Sequence, residues 1–361
     1  MINNFFGTTF NLDSEKQKIL DFINMKKNQD ASEAVFFDKY HEIQSCIGEQ
    51  FKISALKNKL WNGDDISTLQ PNVIVVETKE QLDDWRYLIR FTSSFKNVSN
   101  PGRNMKFLVE DTVTGLYLGA LTVTSDFGDL GARDKYIGWT RDDRYKNKRL
   151  NNVACGQAII PIQPFGHNFL GGKLMALMIT SDVIRKSWEE KYGDVLVGMT
   201  TTSLYGTHSQ YNSMPTFKKR GKTTGKMPIK LPKDMVKVWE EYFGEKRKVR
   251  SNLDTKIYRE CGMKPKDYEN GMQRGIYFCP FYKNTNEFLC GKIKKNSLIL
   301  QEKFVYYNNL ISEWWKPKAE KRFNKLKSDN KLISELHFWD KLFGLTYEEA
   351  KTNYLGEVGR L

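Results

Sequence analysis

Apolar residues recur at helical spacing over residues 14–27, where Ile19, Leu20, Phe22 and Ile23 carry the stripe, and a second helical stretch is expected over 34–43. Residues 72–77 (NVIVVE) read as a short strand. Residues 79–91 follow as an amphipathic helix with Leu82, Trp85, Leu88 and Ile89 on one side. A boundary is placed near residue 70. The clearest local pattern is a hairpin, with KFLVED and LYLGALTVTS as strands and Thr112 to Gly115 as the turn. Residues 126–149 read as a long loop rich in charge and glycine, and residues 158–162 as an apolar strand closed by Pro161 and Pro164.

The string GHNFLGGK then opens a helix of about twenty residues in which Leu174, Met178, Ser181, Ile184 and Trp188 share a face. A strand over 195–203 precedes the polar turn YGTHSQYNSMPTFKKRGKTTGK. Further on, a helix is expected around 235–243, two short helices flank Gly262 within 253–272, and RGIYFCPFYKNTNEFL returns to strand-like sequence. The tail over 304–343 reads as helical, with Trp314, Trp315, Phe323 and Trp339 among many lysines. The pattern predicts an α+β protein in four parts. These are an N-terminal helical region (1–70), a mixed-sheet core (71–225 with 273–300), a basic helical insertion (226–272) and a basic, aromatic-rich helical tail (301–361).

Composition sharpens this picture. Hydrophobic residues make up 40% and aromatics 13%, enough for a packed core and unlike a disordered chain. No run reaches the roughly 18 apolar residues that span a bilayer. The start MINNFFGTTFNLDSEKQ lacks a charged segment followed by an apolar one, and the scattered cysteines Cys46, Cys155, Cys261, Cys279 and Cys290 suit reduced thiols. A cytoplasmic protein with no membrane partner is the expectation. The net charge of +14 is segregated: residues 1–200 hold 25 basic and 25 acidic side chains, residues 201–361 hold 32 and 18. Such a half attracts a phosphate backbone, so DNA is the expected partner, with a solubilising basic surface as the alternative.

The order of hairpin, strand, glycine-led helix, strand and Asn/Tyr-containing turn resembles the core of the GNAT acyltransferases. The string ARDKYIGW, with Asn151-Asn152, Ile159-Ile160-Pro161, the spacing of Trp188 from Tyr192-Gly193, and YGTHSQYN…RGKTTGK, resembles the Druantia anti-phage protein A family. It is more distantly similar to the Mom-type DNA-modification proteins of phages. The resemblance covers roughly residues 107–226 and the strand near 274–281. It implies a GNAT-like fold in phage defence or counter-defence inside a bacterial host cell. The reading it implies is transfer of a small group to a nucleobase in DNA; the alternative is a non-catalytic GNAT-like DNA-binding subunit.

Candidate residues follow. Tyr211 stands where GNAT-like enzymes place a tyrosine general acid, and its alternative role is a packed core tyrosine. Asp134 is either a proton acceptor or the salt-bridge partner of Arg133, and Ser203 is the third catalytic candidate, with Thr201, Thr202 and His208 as nearby donors and acceptors. An acyl-CoA-type donor would sit on the turn of Gln163, Gly166, His167, Asn168, Gly171 and Gly172, where backbone N–H groups at a helix start hold a pyrophosphate. That turn departs from the acyl-CoA pattern at Asn168, and the strand GMTTTS lacks the acidic residue of the Druantia-like pattern. Trp139 is a candidate stacking platform for a flipped base. Lys218, Lys219, Arg220, Lys222, Lys226, Lys246, Arg247, Lys248 and Arg250 are candidates for phosphate contact. Four histidines without a Cys-x-x-Cys argue against a metal. The tail is a candidate protein-docking element.

Overall fold

The computed structural model describes residues 3–5, 8–28, 31–96, 102–204, 209–247, 252–271 and 273–358. Its contacts divide the chain into a larger unit, Val35–Thr223 with Arg274–Leu361, and a smaller one, Met1–Ala34 with Thr224–Gln273.

The larger unit is built on a seven-stranded sheet of β1 (Pro71–Val75), β2 (Asn104–Asp111), β3 (Leu116–Ser125), β4 (Val153–Pro161), β5 (Gly198–Thr202), β6 (Lys218–Lys222) and β7 (Gly275–Pro280). The spatial order is β1-β2-β3-β4-β5-β7-β6. Neighbours run antiparallel except β4 and β5, which are parallel. The architecture is therefore mixed α+β, as the hydrophobic pattern predicts.

Helix α1 (Lys79–Thr92) starts at a capping box in which Thr78 accepts from the Gln81 N–H. It buries Trp85, Leu88, Ile89 and Phe91, and the Trp85 indole donates to the Leu121 carbonyl at 3.0 Å. The segment read as one charged loop instead folds into two short helices, α2 (Gly131–Ile137) and α3 (Arg141–Tyr145). Gly138 ends the first at φ 79°, and a Thr140–Asp143 capping box starts the second, local signals that a charge-based reading passes over. Strand β4 begins five residues before the expected start at 158, because Ala154, Cys155 and Gly156 give no apolar alternation. Strand β6, expected as turn, has no apolar residue at all and pairs through its backbone at the sheet edge.

The parallel pair is joined through α4 (Gly171–Met178) and α5 (Asp182–Tyr192), where a single helix was expected. The break falls where the Thr180 hydroxyl turns back to the Leu177 carbonyl at 2.7 Å and Ser181 adopts extended backbone ahead of α5. The tail packs on the same unit. Trp315 and Ala319, around the start of α6 (Lys316–Ser328), join Phe338 and Trp339 in its core. Phe323 stacks on Phe169 with centroids 4.5 Å apart, and Phe338 on Phe91 at 5.1 Å.

In the smaller unit the helix Leu12–Asn28 contributes Ile19 and Ile23 to a core with Val236, Trp239, Leu253, Ile257 and Tyr258. The Tyr258 and Tyr268 rings stack at 4.2 Å. Among the described residues no helix is long and apolar enough to cross a membrane.

Candidate functional site

The end of β3 and helices α2 and α3 enclose a network of buried charge. Arg133 on α2 is fully buried and places Nη1 2.8 Å from Asp126, Nη2 2.6 Å from Asp134, and a further bond of 2.8 Å on the Phe127 carbonyl. Thr200 on β5 donates to Asp126 at 2.6 Å, and Arg144 on α3 bridges Asp134 at 3.3 Å and Asp129 at 2.8 Å. Asp134 also accepts from the Leu130 N–H and the Trp139 indole, at 2.9 and 3.0 Å. Burial works against its ionised form, but Arg133, the Leu130 N–H and the Trp139 indole together hold it below the usual carboxylate range. Asp134 is thus a well-solvated-by-protein anion, poorly matched to taking up a proton near neutral pH. Trp139 is only 5% exposed and lies among Ile137, Val153, Val195 and Phe278, with the Arg133 guanidinium 5.3 Å from its ring centroid.

A second feature is the divergence of β4 from β5. Their pairing covers only Val153–Cys155 against Gly198–Thr200, although β4 continues to Pro161. A bulge that leaves Gln157 as the extra residue of β4 marks the point of departure. The carbonyls this exposes are taken by side chains: Thr201 donates to Gly156 at 2.9 Å, and Gln210 to Ile159 at 3.0 Å. The Tyr211 hydroxyl lies here too, accepting from Gln210 at 3.2 Å, with Tyr277 and Phe217 against its ring. Burial raises the Tyr211 phenol above its ordinary value, against the pull of Thr201 and Gln210. Ser203 accepts from the Gly275 N–H at 2.7 Å and fixes β5 to β7. The hydrogen bonds of Asp134 go to Leu130, Arg133 and Trp139, whereas Tyr211 is bonded to Gln210 and Ser203 to Gly275. His208 lies outside the described residues.

The glycine turn meets this wedge from the other side. A Cβ on Gly172 would stand 2.3 Å from Gln210 Oε1, and Lys173 donates to the Gln210 and Asn212 carbonyls at 3.2 and 2.7 Å. Sequence spacing thus does bring α4 and Tyr211 together, through the unforeseen Gln210. The tail covers the turn. Asn168 exchanges bonds with Ile333 at 2.8 and 3.2 Å, Arg322 donates to the His167 carbonyl at 2.7 Å, and Trp315 to the Leu170 carbonyl at 3.2 Å. Gln163 accepts from the His167 N–H at 2.9 Å, Gly166 donates to Ile162 at 2.8 Å, and Gly171 packs against Phe165. Burial, reinforced by Arg322, lowers His167 from its ordinary value. These residues fit an acyl-CoA poorly: the tail occupies the Asn168 amide and the His167 and Leu170 carbonyls beside the turn, and the strand divergence is filled by Gln210 and Tyr211.

The basic candidates separate. In the larger unit Lys218, Lys219 and Lys222 are exposed on the edge strand β6 and, among the described residues, form no ion pair, although Lys218 donates to the Met214 carbonyl at 3.0 Å. The β6/β7 register shift leaves Arg220 as an extra residue, and its guanidinium lies 3.5 Å from the centroid of the Tyr136 ring. In the smaller unit Lys226 and Lys246 are exposed, whereas Arg247 ties the Leu231 carbonyl and Asp254, at 3.2 and 2.5 Å. Lys248 and Arg250 lie outside the described residues.

Sequence reading also passed over Asp126 and Arg144, which flank the ARDKYIGW string and complete its charges. The string itself holds two basic residues, Arg133 and Lys135, against the single carboxylate of Asp134, which was the available signal.

The family profile described as Druantia protein DruA matches residues 41–291. The chain belongs to the Druantia DruA family. A relative, the Druantia protein DruA of Escherichia coli (strain UMEA 4076-1), is 30% identical over 139 residues, which is 35% of this chain and 34% of the relative. The match to this DruA protein thus spans about a third of that relative's length. No solved structure matches the chain. In DruA terms, the matched residues 41–291 take in both the ion network and the strand divergence, and end before the tail that covers the glycine turn.

Proposed function

We propose that this chain is a GNAT-like DNA-binding subunit of an anti-phage defence system of the Druantia kind, acting in the bacterial cytoplasm without itself carrying out chemistry on the base. The observation that carries the reading is the edge strand β6, where Lys218, Lys219 and Lys222 are exposed and, among the described residues, have no carboxylate partner, Lys218 donating instead to the Met214 carbonyl at 3.0 Å. A phosphate backbone supplies those partners, and exchange of condensed counterions for lysines gives the contact its free energy. Lysines on an edge also guard against strand pairing with another chain, so the two roles need an experiment to separate them.

The strand order supports the GNAT-like part. A single parallel neighbour pair, joined by a glycine-led helix and followed by a terminal pair in swapped order, is the arrangement of the GNAT core. The family membership supports the association with phage defence. The plugged divergence supports a silent site, because the space that a GNAT donor would enter holds Gln210 and Tyr211.

A second reading, group transfer to a nucleobase, has one observation in its favour: the Tyr211 hydroxyl sits in that divergence beside the start of α4. Digesting co-resident DNA to nucleosides and comparing masses between wild type and Tyr211→Phe separates the two. Identical, unmodified nucleosides are expected; an added mass dependent on Tyr211 would establish the transferase reading instead. For DNA binding, the triple change Lys218→Ala, Lys219→Ala and Lys222→Ala should reduce the slope of log affinity against log salt by about two to three. An unchanged slope removes β6 from the interface.

A further inference from the structure

Two basic runs far apart in the chain, RYKNKR at 144–149 and KIKK at 292–295, meet around one hollow of about 350 Å³ in the larger unit. Lys148, Arg149, Lys294 and Lys295 line it, with Phe288 as an apolar wall and Asp194 as its one carboxylate. The negative charge nearby is already committed: Asp194 pairs with Arg103, and Lys295 with Glu189. Asp143, which acts on Arg149 at longer range, accepts from the Thr140 backbone and hydroxyl at 2.7 and 2.8 Å. Lys148, Arg149 and Lys294 are left with no ion pair among the described residues.

Arg149 is the most telling of these. Its guanidinium stands 4.5 Å from the centroid of the Phe288 ring, and its Nε is buried without a hydrogen-bond acceptor in the protein. The guanidinium charge thus lines the hollow with no carboxylate of the described residues to balance it, a balance that an anionic oxygen in the hollow would supply. Lys148, next to it, holds a left-handed backbone at φ 55°, a conformation that a non-glycine residue keeps only where its surroundings impose it.

We propose that this hollow is a phosphate-binding site that accepts one nucleotide-sized group. Arg149 supplies a planar fork, and Lys148 and Lys294 supply mobile point charges, a combination suited to a phosphate dianion. The volume lies at the small end of ligand sites, enough for one nucleotide rather than a stretch of polymer. The phosphate comes either from a free nucleotide or from the terminus of a nucleic acid. None of the lining residues belongs to β6, so the site stands whether or not that strand binds DNA.

The test uses the full chain and two probes: adenosine 5′-monophosphate, and a 12-nucleotide single strand labelled at its 3′ end and carrying either a 5′-phosphate or a 5′-hydroxyl. Fluorescence anisotropy should show the 5′-phosphate strengthening binding by about tenfold if a strand end is the ligand. Binding of the mononucleotide, with the two strands equal, identifies a free nucleotide. In either case Arg149→Gln and the exposed pair Lys148→Gln, Lys294→Gln should abolish the phosphate-dependent part. The paired lysine variant leaves the Phe288 contact intact, and an unchanged thermal midpoint establishes that it is folded. Two outcomes overturn the site: neither probe gives phosphate-dependent binding, or the variants bind as wild type does.

Discussion

Arg133 and Asp126 face each other across 2.8 Å with neither side chain reached by solvent. Removing one partner strands a charge in the interior, which costs about 3–5 kcal/mol, more than a typical surface substitution by an order of magnitude. Arg133→Ala is therefore expected to lower the thermal midpoint of the protein by on the order of 10 °C. Differential scanning fluorimetry checks this, and a drop of only a degree or two would mean that the pair is not buried as described.

Asp134 gives a pH signature. Its carboxyl is held below the usual range in the fold, so its stabilising contribution is present above the unfolded value of about 3.9 and is lost as pH falls through the lower folded value. Asp134→Asn keeps the shape and forfeits that contribution. Wild type should exceed the variant in thermal midpoint at pH 7, and the gap should narrow below about pH 4. A gap that is constant down to pH 3 would contradict the assignment.

Lys39 behaves in the opposite sense. It is fully buried, donates to Glu42 at 3.0 Å and to the Arg90 carbonyl, and burial lowers its pKa to about 8 although Glu42 opposes the shift. Charging it inside the protein is penalised, so the penalty is full below about pH 8 and disappears as pH rises toward the unfolded value of about 10.4. Chemical denaturation should show wild type gaining stability over that interval. Lys39→Met should lose this rise.

Asn168 holds the tail by both ends of its amide, to the Ile333 backbone. Asn168→Ala leaves the half-buried N–H and carbonyl of Ile333 without this partner, at a cost of about 1 kcal/mol or more concentrated on the tail. Limited trypsin digestion should cut faster after Lys331 by roughly tenfold, given how 1.4 kcal/mol scales an opening equilibrium. Equal rates would place the tail's anchorage in its aromatic contacts and in the Arg322 and Trp315 bonds to the turn.

Elements with an apolar period were legible: the hairpin strands β2 and β3, helix α1 with Trp85 and Leu88, and the helix bearing Ile19 and Ile23. Those held by backbone pairing or capping were not. Strand β6 consists of KKRGK, and α2 and α3 are set by Gly138 and by Thr140 with Asp143, none of which leaves a hydrophobic signature. At the candidate site, a tyrosine in a turn beside a glycine-led helix was readable from spacing. Gln210 was not, because its role depends on the Ile159 carbonyl freed when β4 parts from β5. The tail's cover over Asn168 was unreadable for a similar reason, since more than 160 residues separate Asn168 from Ile333.

The smaller unit is made from two pieces of chain, Met1–Ala34 and Thr224–Gln273, and among the described residues the helix Leu12–Asn28 packs on apolar partners from the later one. On a ribosome adding about 5–20 residues per second, that helix waits roughly ten to forty seconds before Trp239 and Ile257 exist to cover it. In that interval Ile19 and Ile23 are uncovered in the nascent chain. The order of synthesis therefore makes a helix translated well before its partners among the last to reach its final packing, and gives chaperones a defined apolar stripe to shield in the meantime.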